Sequence, residues 1–186
     1  MLPGLLTGKD VFFVGVSPDS KHKTGYRVKA AFQIGVHVKD LALLEQIKLY
    51  FGVGKITKLG ADAVQFRVSG IEHLKVIINH FDEYPLLTCK QSDYLLFKEV
   101  VELIGQGKHL TLEGLNKIVS IKATLNGQKI SNALSLAFPG IEPVLRPEVI
   151  DREIKSLHWL AGFTDAEGCF FIALKKSPGS RLGEAV

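Results

Sequence analysis

Glu167 stands near the end of LAGFTDAEGCFF, residues 160 to 171, just behind Gly162 and Ala166. The four-residue spacing of those two puts them on one stripe of a helix. Small residues there let a second helix approach below the usual ~8–10 Å. A carboxylate at the end of such a helix can hold Mg²⁺, which prefers oxygen ligands and keeps several waters. Two acids of this kind, each beside a phosphate, make a two-metal phosphodiesterase centre. The plainer reading is a helix-terminal Glu that meets solvent. The helix dipole disfavours an acid there, which argues for a purpose.

The same unit occurs at the start of the chain. LPGLLTGKDVFF, residues 2 to 13, aligns without a gap, matching Leu2 to Leu160, Gly4 to Gly162, Phe12 to Phe170 and Phe13 to Phe171. At the same offset Gly25 meets Gly183 and Val28 meets Val186. The identities fall on small and aromatic positions, as expected of a repeated supersecondary unit. Gly4 and Gly8 keep the small stripe, so the two copies can pack through it. Where the second copy has Glu167, the first has Lys9, and Asp10 stands for Gly168.

Positioning such groups requires a scaffold. RVKAAFQIGVHV, residues 27 to 38, alternates strictly, so Val28, Ala30, Phe32, Ile34, Val36 and Val38 face one way. Arg27, Lys29, Ala31, Gln33, Gly35 and His37 face the other. AVQFRVS repeats the pattern, with Val64, Phe66 and Val68 inward and Gln65, Arg67 and Ser69 outward. KITK (55 to 58) and DVFFVGVS (10 to 17) are further strands, the latter joined to the long strand by PDSKHKTG. Helical spacing covers KDLALLEQIKLYFG, IEHLKVIINHFDEYP, SDYLLFKEVVELIGQG and TLEGLNKIVSIKATLNG, with Thr111 as the N-cap of the last. Residues 126 to 150 hold three prolines and little periodicity and read as a linker. EIKSLHWLAGFTDAEG then starts a new helix and CFFIALKK a new strand. The fold class is α+β, with an antiparallel sheet carrying helices on one face. The divisions are 1–125 for the first repeat, 126–150 for the linker and 151–186 for the start of the second.

Net charge is +4, but residues 21 to 67 carry nine Lys and Arg against three Asp and Glu, so that segment is +6 and the rest −2. A basic stretch on a sheet face suits a polyanion, and a two-stranded ribbon fits the major groove. The interface candidates are Lys21, Lys23, Arg27, Lys29, Gln33, His37, Lys55, Lys58, Gln65, Arg67 and Lys175. Cys89 and Cys169 are too few for a disulfide framework or a zinc site. The sequence holds neither an apolar run long enough to span a bilayer nor a signal peptide at MLPGLLTGKD, so no membrane partner is expected.

WLAGFTDAEGCFF, residues 159 to 171, resembles the signature of the LAGLIDADG homing endonucleases, in the single-chain, two-repeat type of fungal mitochondrial introns. GYRVKAAFQIGVHVKD, NHFDEYPLLTCKQSDYLLFKEVVELI and AFPGIEPVLRPEV resemble that group too, so the likeness covers nearly the whole chain. It implies a saddle in which two motif helices form the central interface and two antiparallel sheets lie in the major groove of double-stranded DNA. Each motif contributes one acid that binds a divalent metal and cuts one strand. Carried over, Glu167 is the catalytic and metal-binding acid, the Ala166 carbonyl a second ligand of Mg²⁺ or another divalent cation, and Lys90 a lysine near the scissile phosphate. The alternative for Lys90 is a surface lysine at a helix start.

The departures are Lys9 for the first acid, Asp10 for the following glycine, Val36 where several relatives carry Gln, and a second repeat that stops at Val186 before its own lysine. Either the first motif has decayed or the reading frame starts at the wrong place. The resemblance implies an intron-homing DNA hydrolase impaired in double-strand cutting. The alternatives are a non-catalytic maturase binding intron RNA and an inactive remnant. It also implies a mitochondrial location, and it leaves the oligomeric state open.

Overall fold

The computed structural model describes residues 11–127, 130–149, 153–154, 157–167, 175–176 and 184–185. Four strands, β1 (Phe12–Pro18), β2 (Tyr26–His37), β3 (Lys55–Lys58) and β4 (Ala63–Ser69), form one antiparallel sheet in the order β1-β2-β4-β3. Helices α1 (Leu41–Phe51), α2 (Ile71–Glu83), α3 (Lys90–Gly105) and α4 (Leu112–Thr124) supply the rest of the core. The short α5 (Asn132–Ala137) and then α6 (Leu157–Glu167) follow, with a two-residue pair, β5 (Lys175–Lys176) and β6 (Glu184–Ala185), at the end. The α+β class is as the sequence implies.

Period-two patterning sets the sheet's two faces. Phe32 pairs with Val68, Ile34 with Phe66 and Val36 with Val64, all on the helix side. Phe12 is the hub of that side. Its ring centroid lies 5.2 Å from Phe97, 5.8 Å from Tyr94 and 5.9 Å from both Phe32 and Phe81. Offset and edge-on ring pairs of this kind add about 0.5–1.5 kcal/mol each beyond buried area. Turn chemistry positions the elements. Gly52, at φ 67, ends α1 and donates to Lys48 O. Thr111 caps α4, its hydroxyl accepting the Gly114 N–H at 3.1 Å.

Three details depart from the sequence reading. Alternation puts Val38 on the inner face, but it is exposed, because the strand stops at His37, whose Nδ1 accepts the Lys39 N–H and starts a 3-10 turn. Ala31 is on the outer face yet fully buried. The third is the segment read as a linker. It contains α5, capped by Ser131, and its extended stretch is strapped to the body: Thr124 Oγ1 donates to Val144 O at 2.6 Å and Ser92 Oγ to Pro147 O at 2.6 Å. Proline-rich composition hides this, because the stretch is held by side chains of α3 and α4 rather than by its own periodicity.

The core also holds a titratable group. His80 is buried between α1 and α2 among Tyr50, Phe51, Phe81 and Tyr84, with Tyr50 Oη 3.3 Å from its Nδ1. Burial holds its pKa below the ordinary histidine value, against an opposing pull from Glu83. The unfolded chain therefore takes up the proton first. Stability from this group is complete above about pH 6.5 and is lost as pH falls through the depressed folded value. His109, depressed chiefly by burial, adds in the same direction. Thermal melts between pH 7.5 and 5 should show a falling midpoint, and the fall should be smaller in His80→Phe. An undiminished fall in that variant would place the titration elsewhere.

Candidate nucleic-acid interface

The outer face is built from every second residue of the sheet. Arg27, Lys29, Gln33 and His37 alternate with the inward residues of β2, and Gln65 and Arg67 with those of β4. The register brings Gln33 opposite Arg67, and Lys55 of β3 opposite Arg67 on the other side. Arg67 Nη1 donates to Gln33 Oε1 at 2.9 Å. Arg27 is not free, since its Nη2 lies 2.6 Å from Asp19 in the β1–β2 loop. The sheet strands put no acid on this face, but the loop supplies one. His37 accepts through Nδ1, which places its ring proton on Nε2 as an available donor. Lys21 and Lys23 are exposed in the same loop as Asp19.

Lys58 is placed differently from the sequence assignment. It pairs with Val64, an inward residue, so it shares the helix-side register at the end of the edge strand rather than the face of Lys55. A strand of four residues is too short for its alternation to be read reliably from sequence. Lys175 lies in β5, opposite Ala185.

Lys90 is the first residue of α3, and its side chain is only 15% exposed, so it is not a solvated surface lysine. Its Nζ lies 3.8 Å from Asp93 Oδ2. Asp93 is itself 3% exposed and receives Arg146 Nη2 at 2.9 Å and the Asn126 N–H at 2.9 Å, both on Oδ1. Asn126 adopts a left-handed conformation, φ 57, which Asn tolerates better than most residues. Its Nδ2 donates to Phe12 O at 2.9 Å, tying this polar cluster to the start of β1. Phe12 follows the first motif directly in sequence, although Gly4, Gly8, Lys9 and Asp10 themselves lie outside the described residues.

In the second motif, α6 contains Gly162, Ala166 and Glu167 and ends at Glu167. The last carbonyls of a helix have no intrahelical donor. The carbonyl and carboxylate oxygens that the family resemblance assigns as ligands at Ala166 and Glu167 are of the hard type that a divalent cation of the Mg²⁺ class takes. Among the residues whose side chains are described, no group of three His, Cys, Asp or Glu converges on a metal position.

Residues 2–101 match the family model described as LAGLIDADG endonuclease. The chain belongs to that family. Among LAGLIDADG proteins it is similar to probable intron-encoded endonuclease 3 of Neurospora crassa, with 39% identity over 186 residues that cover 98% of this chain and 34% of that protein. It is similar in structure to the meganuclease I-CpaMI bound to uncleaved DNA, at 40% identity and TM-score 0.92, covering 99% of this chain and 63% of that one. I-SmaMI, solved on an uncleaved DNA target in the presence of calcium ions, gives 44% identity and TM-score 0.91 with the same coverage. The chain therefore spans about a third of that curated relative and 63% of the solved LAGLIDADG chains.

Sequence reasoning missed Phe13, Asp19, Asp93, Asn126 and Arg146. Phe13 could have been found, because two adjacent phenylalanines in a strand cannot both face the core. Asp93 and Arg146 could not, since nothing local links residues so far apart.

Proposed function

We propose that this chain binds double-stranded DNA through the outer sheet face and acts as a divalent-metal-dependent DNA endonuclease of the intron-homing type. The observation that carries this reading is the single register holding Arg27, Lys29, Gln33, Lys55 and Arg67 on the face opposite the helices. What supports it further is the LAGLIDADG match, an intron-encoded endonuclease relative, and similarity to meganucleases solved on DNA. Glu167 and the Ala166 carbonyl would hold the cation, Mg²⁺ or another divalent ion. When bound, it neutralises phosphate charge and activates water at neutral pH. Lys90, kept at the start of α3 by Asp93, lies near the scissile phosphate as a second cation. The location that fits an intron-encoded protein of this kind is the mitochondrion.

Binding should be dominated by phosphate contacts. Lys21, Lys23, Lys29 and Lys55 with a partly neutralised Arg27 offer about four, so log affinity against log salt should fall with a slope of about −4. Lys29→Ala should flatten the slope by about 1 and weaken all duplexes alike. A fluorescence-anisotropy titration on a duplex of arbitrary sequence reads both quantities. A slope near zero would sink the interface. The activity is tested by nicking of supercoiled plasmid with and without Mg²⁺.

A further inference from the structure

Arg67 differs from the lysines around it because its position is fixed on two sides. One is the hydrogen bond from Nη1 to Gln33 Oε1 at 2.9 Å. The other is the Phe13 ring, whose centroid lies 5.2 Å from the guanidinium carbon. Phe13 is on β1 and Arg67 on β4, so this contact spans the intervening strand β2. Ala31, directly opposite Phe13 in β2, is small enough to allow it and is fully buried there. Gly15 completes the floor, for a Cβ at that position would come within 3.0 Å of two Phe13 ring carbons. Phe13, Gln33 and Arg67 are all half-buried although they stand on the open face of the sheet.

Guanidinium has no acceptor, so the Gln33 oxygen must face it, and this fixes the orientation of the amide. One of the two lone pairs of Gln33 Oε1 is thereby engaged and the oxygen is turned toward Arg67, so what the pair offers outward is chiefly N–H donors. Guanine presents two acceptors in the major groove, O6 and N7. Adenine presents N7 beside an N6–H₂ donor, and cytosine an N4–H₂ donor. A free glutamine would favour adenine, accepting from N6–H₂ while donating to N7.

We propose that Arg67 and Gln33 form a donor-rich pair, braced by Phe13 over Gly15 and Ala31, that reads one guanine in the major groove and discriminates against adenine. The proposal rests on the reading of the sheet as a DNA interface and adds to it the base that one position selects. Bracing lowers the side-chain entropy lost on contact, so Phe13 sets the strength of the preference while Arg67 sets its identity.

The test is selection of bound duplexes from a randomised library by the whole chain without divalent metal, followed by sequencing. Circular-dichroism melts establish that each variant folds. The wild-type chain should enrich guanine over adenine at one position by at least about tenfold. Arg67→Ala frees Gln33, and the preferred base at that position should change to adenine. Arg67→Lys keeps the charge and the donors, so it should retain overall affinity while the guanine preference weakens, since an ammonium lacks the fork. Phe13→Leu should leave guanine preferred but reduce the ratio several-fold. An enriched motif unaltered by Arg67→Ala overturns the assignment and leaves the DNA interface standing. Equal weakening on every sequence in that variant makes Arg67 a phosphate contact and overturns it too. Failure of the wild-type chain to retain any duplex defeats the interface itself, and the base assignment with it.

Discussion

Glu167→Gln is expected to lower plasmid nicking in Mg²⁺ by at least about a hundredfold, while DNA affinity measured without metal stays within about twofold. Loss of an outer partner of a metal site already costs about 10–100-fold, and Glu167 is proposed as a ligand itself. The amide keeps the shape and one oxygen but removes the charge. A unit charge pair a few ångströms apart interacts by roughly 4 kcal/mol at an effective dielectric near 20. An acid at the C-terminal end of α6 opposes the helix dipole, and a bound cation reverses that penalty. Glu167→Gln should therefore raise or leave unchanged the melting temperature without metal and abolish any rise on adding Mg²⁺. In the other motif, Lys9 puts an ammonium where Glu167 has its equivalent, so the wild-type product should be nicked circles. Linear plasmid from the wild-type chain, or nicking that survives Glu167→Gln, would refute this division of labour between the motifs.

The strands were legible because a half-buried sheet repeats every two residues. AVQFRVS forms β4 at the bounds its patterning sets, and Phe32, Ile34, Phe66 and Val68 are buried where the alternation puts them. Helix starts were less legible. Helical spacing alone placed the third helix from Ser92. The structure begins it at Lys90, whose N–H is received by Thr88 Oγ1, and so brings Lys90 into the first turn beside Asp93. The outer face was legible as a set of residue types, but not its internal pairing. Arg27 with Asp19, and Arg67 with Gln33 and Phe13, depend on strand order and side-chain reach. Ala31 counted as exposed because alternation knows nothing of a ring crossing from the next strand. The family signature at residues 159 to 171 identified Glu167 and Ala166 as candidates, whereas the network under Lys90 has no signature.

That network supports the last prediction. Asp93 is a buried carboxylate, and its close charge partner is Arg146, delivered by the stretch after α5. Arg146 is 36% exposed and also donates through Nη2 to Cys89 O at 3.0 Å. Removing one member of a buried ion pair costs about 3–5 kcal/mol, because the other is left charged and desolvated. Arg146→Ala leaves Asp93 with the Asn126 N–H and the more distant Lys90, and the arginine is partly solvated, so it should destabilise the chain by about 1–3 kcal/mol in urea unfolding, less than a fully buried pair. The informative variant is the double one. Asp93→Asn keeps an oxygen for the Asn126 N–H but carries no charge. In the presence of Arg146, it weakens the ion pair and destabilises. In the Arg146→Ala background, it relieves a buried, poorly compensated carboxylate and should recover about 1–2 kcal/mol. The two substitutions should thus couple with opposite signs of Asp93→Asn in the two backgrounds, which a double-mutant cycle measures directly. If Asp93→Asn destabilises both backgrounds equally, Arg146 acts only by strapping residues 141–149 to α3 and α4, and the charge at Asp93 is compensated by Lys90 alone.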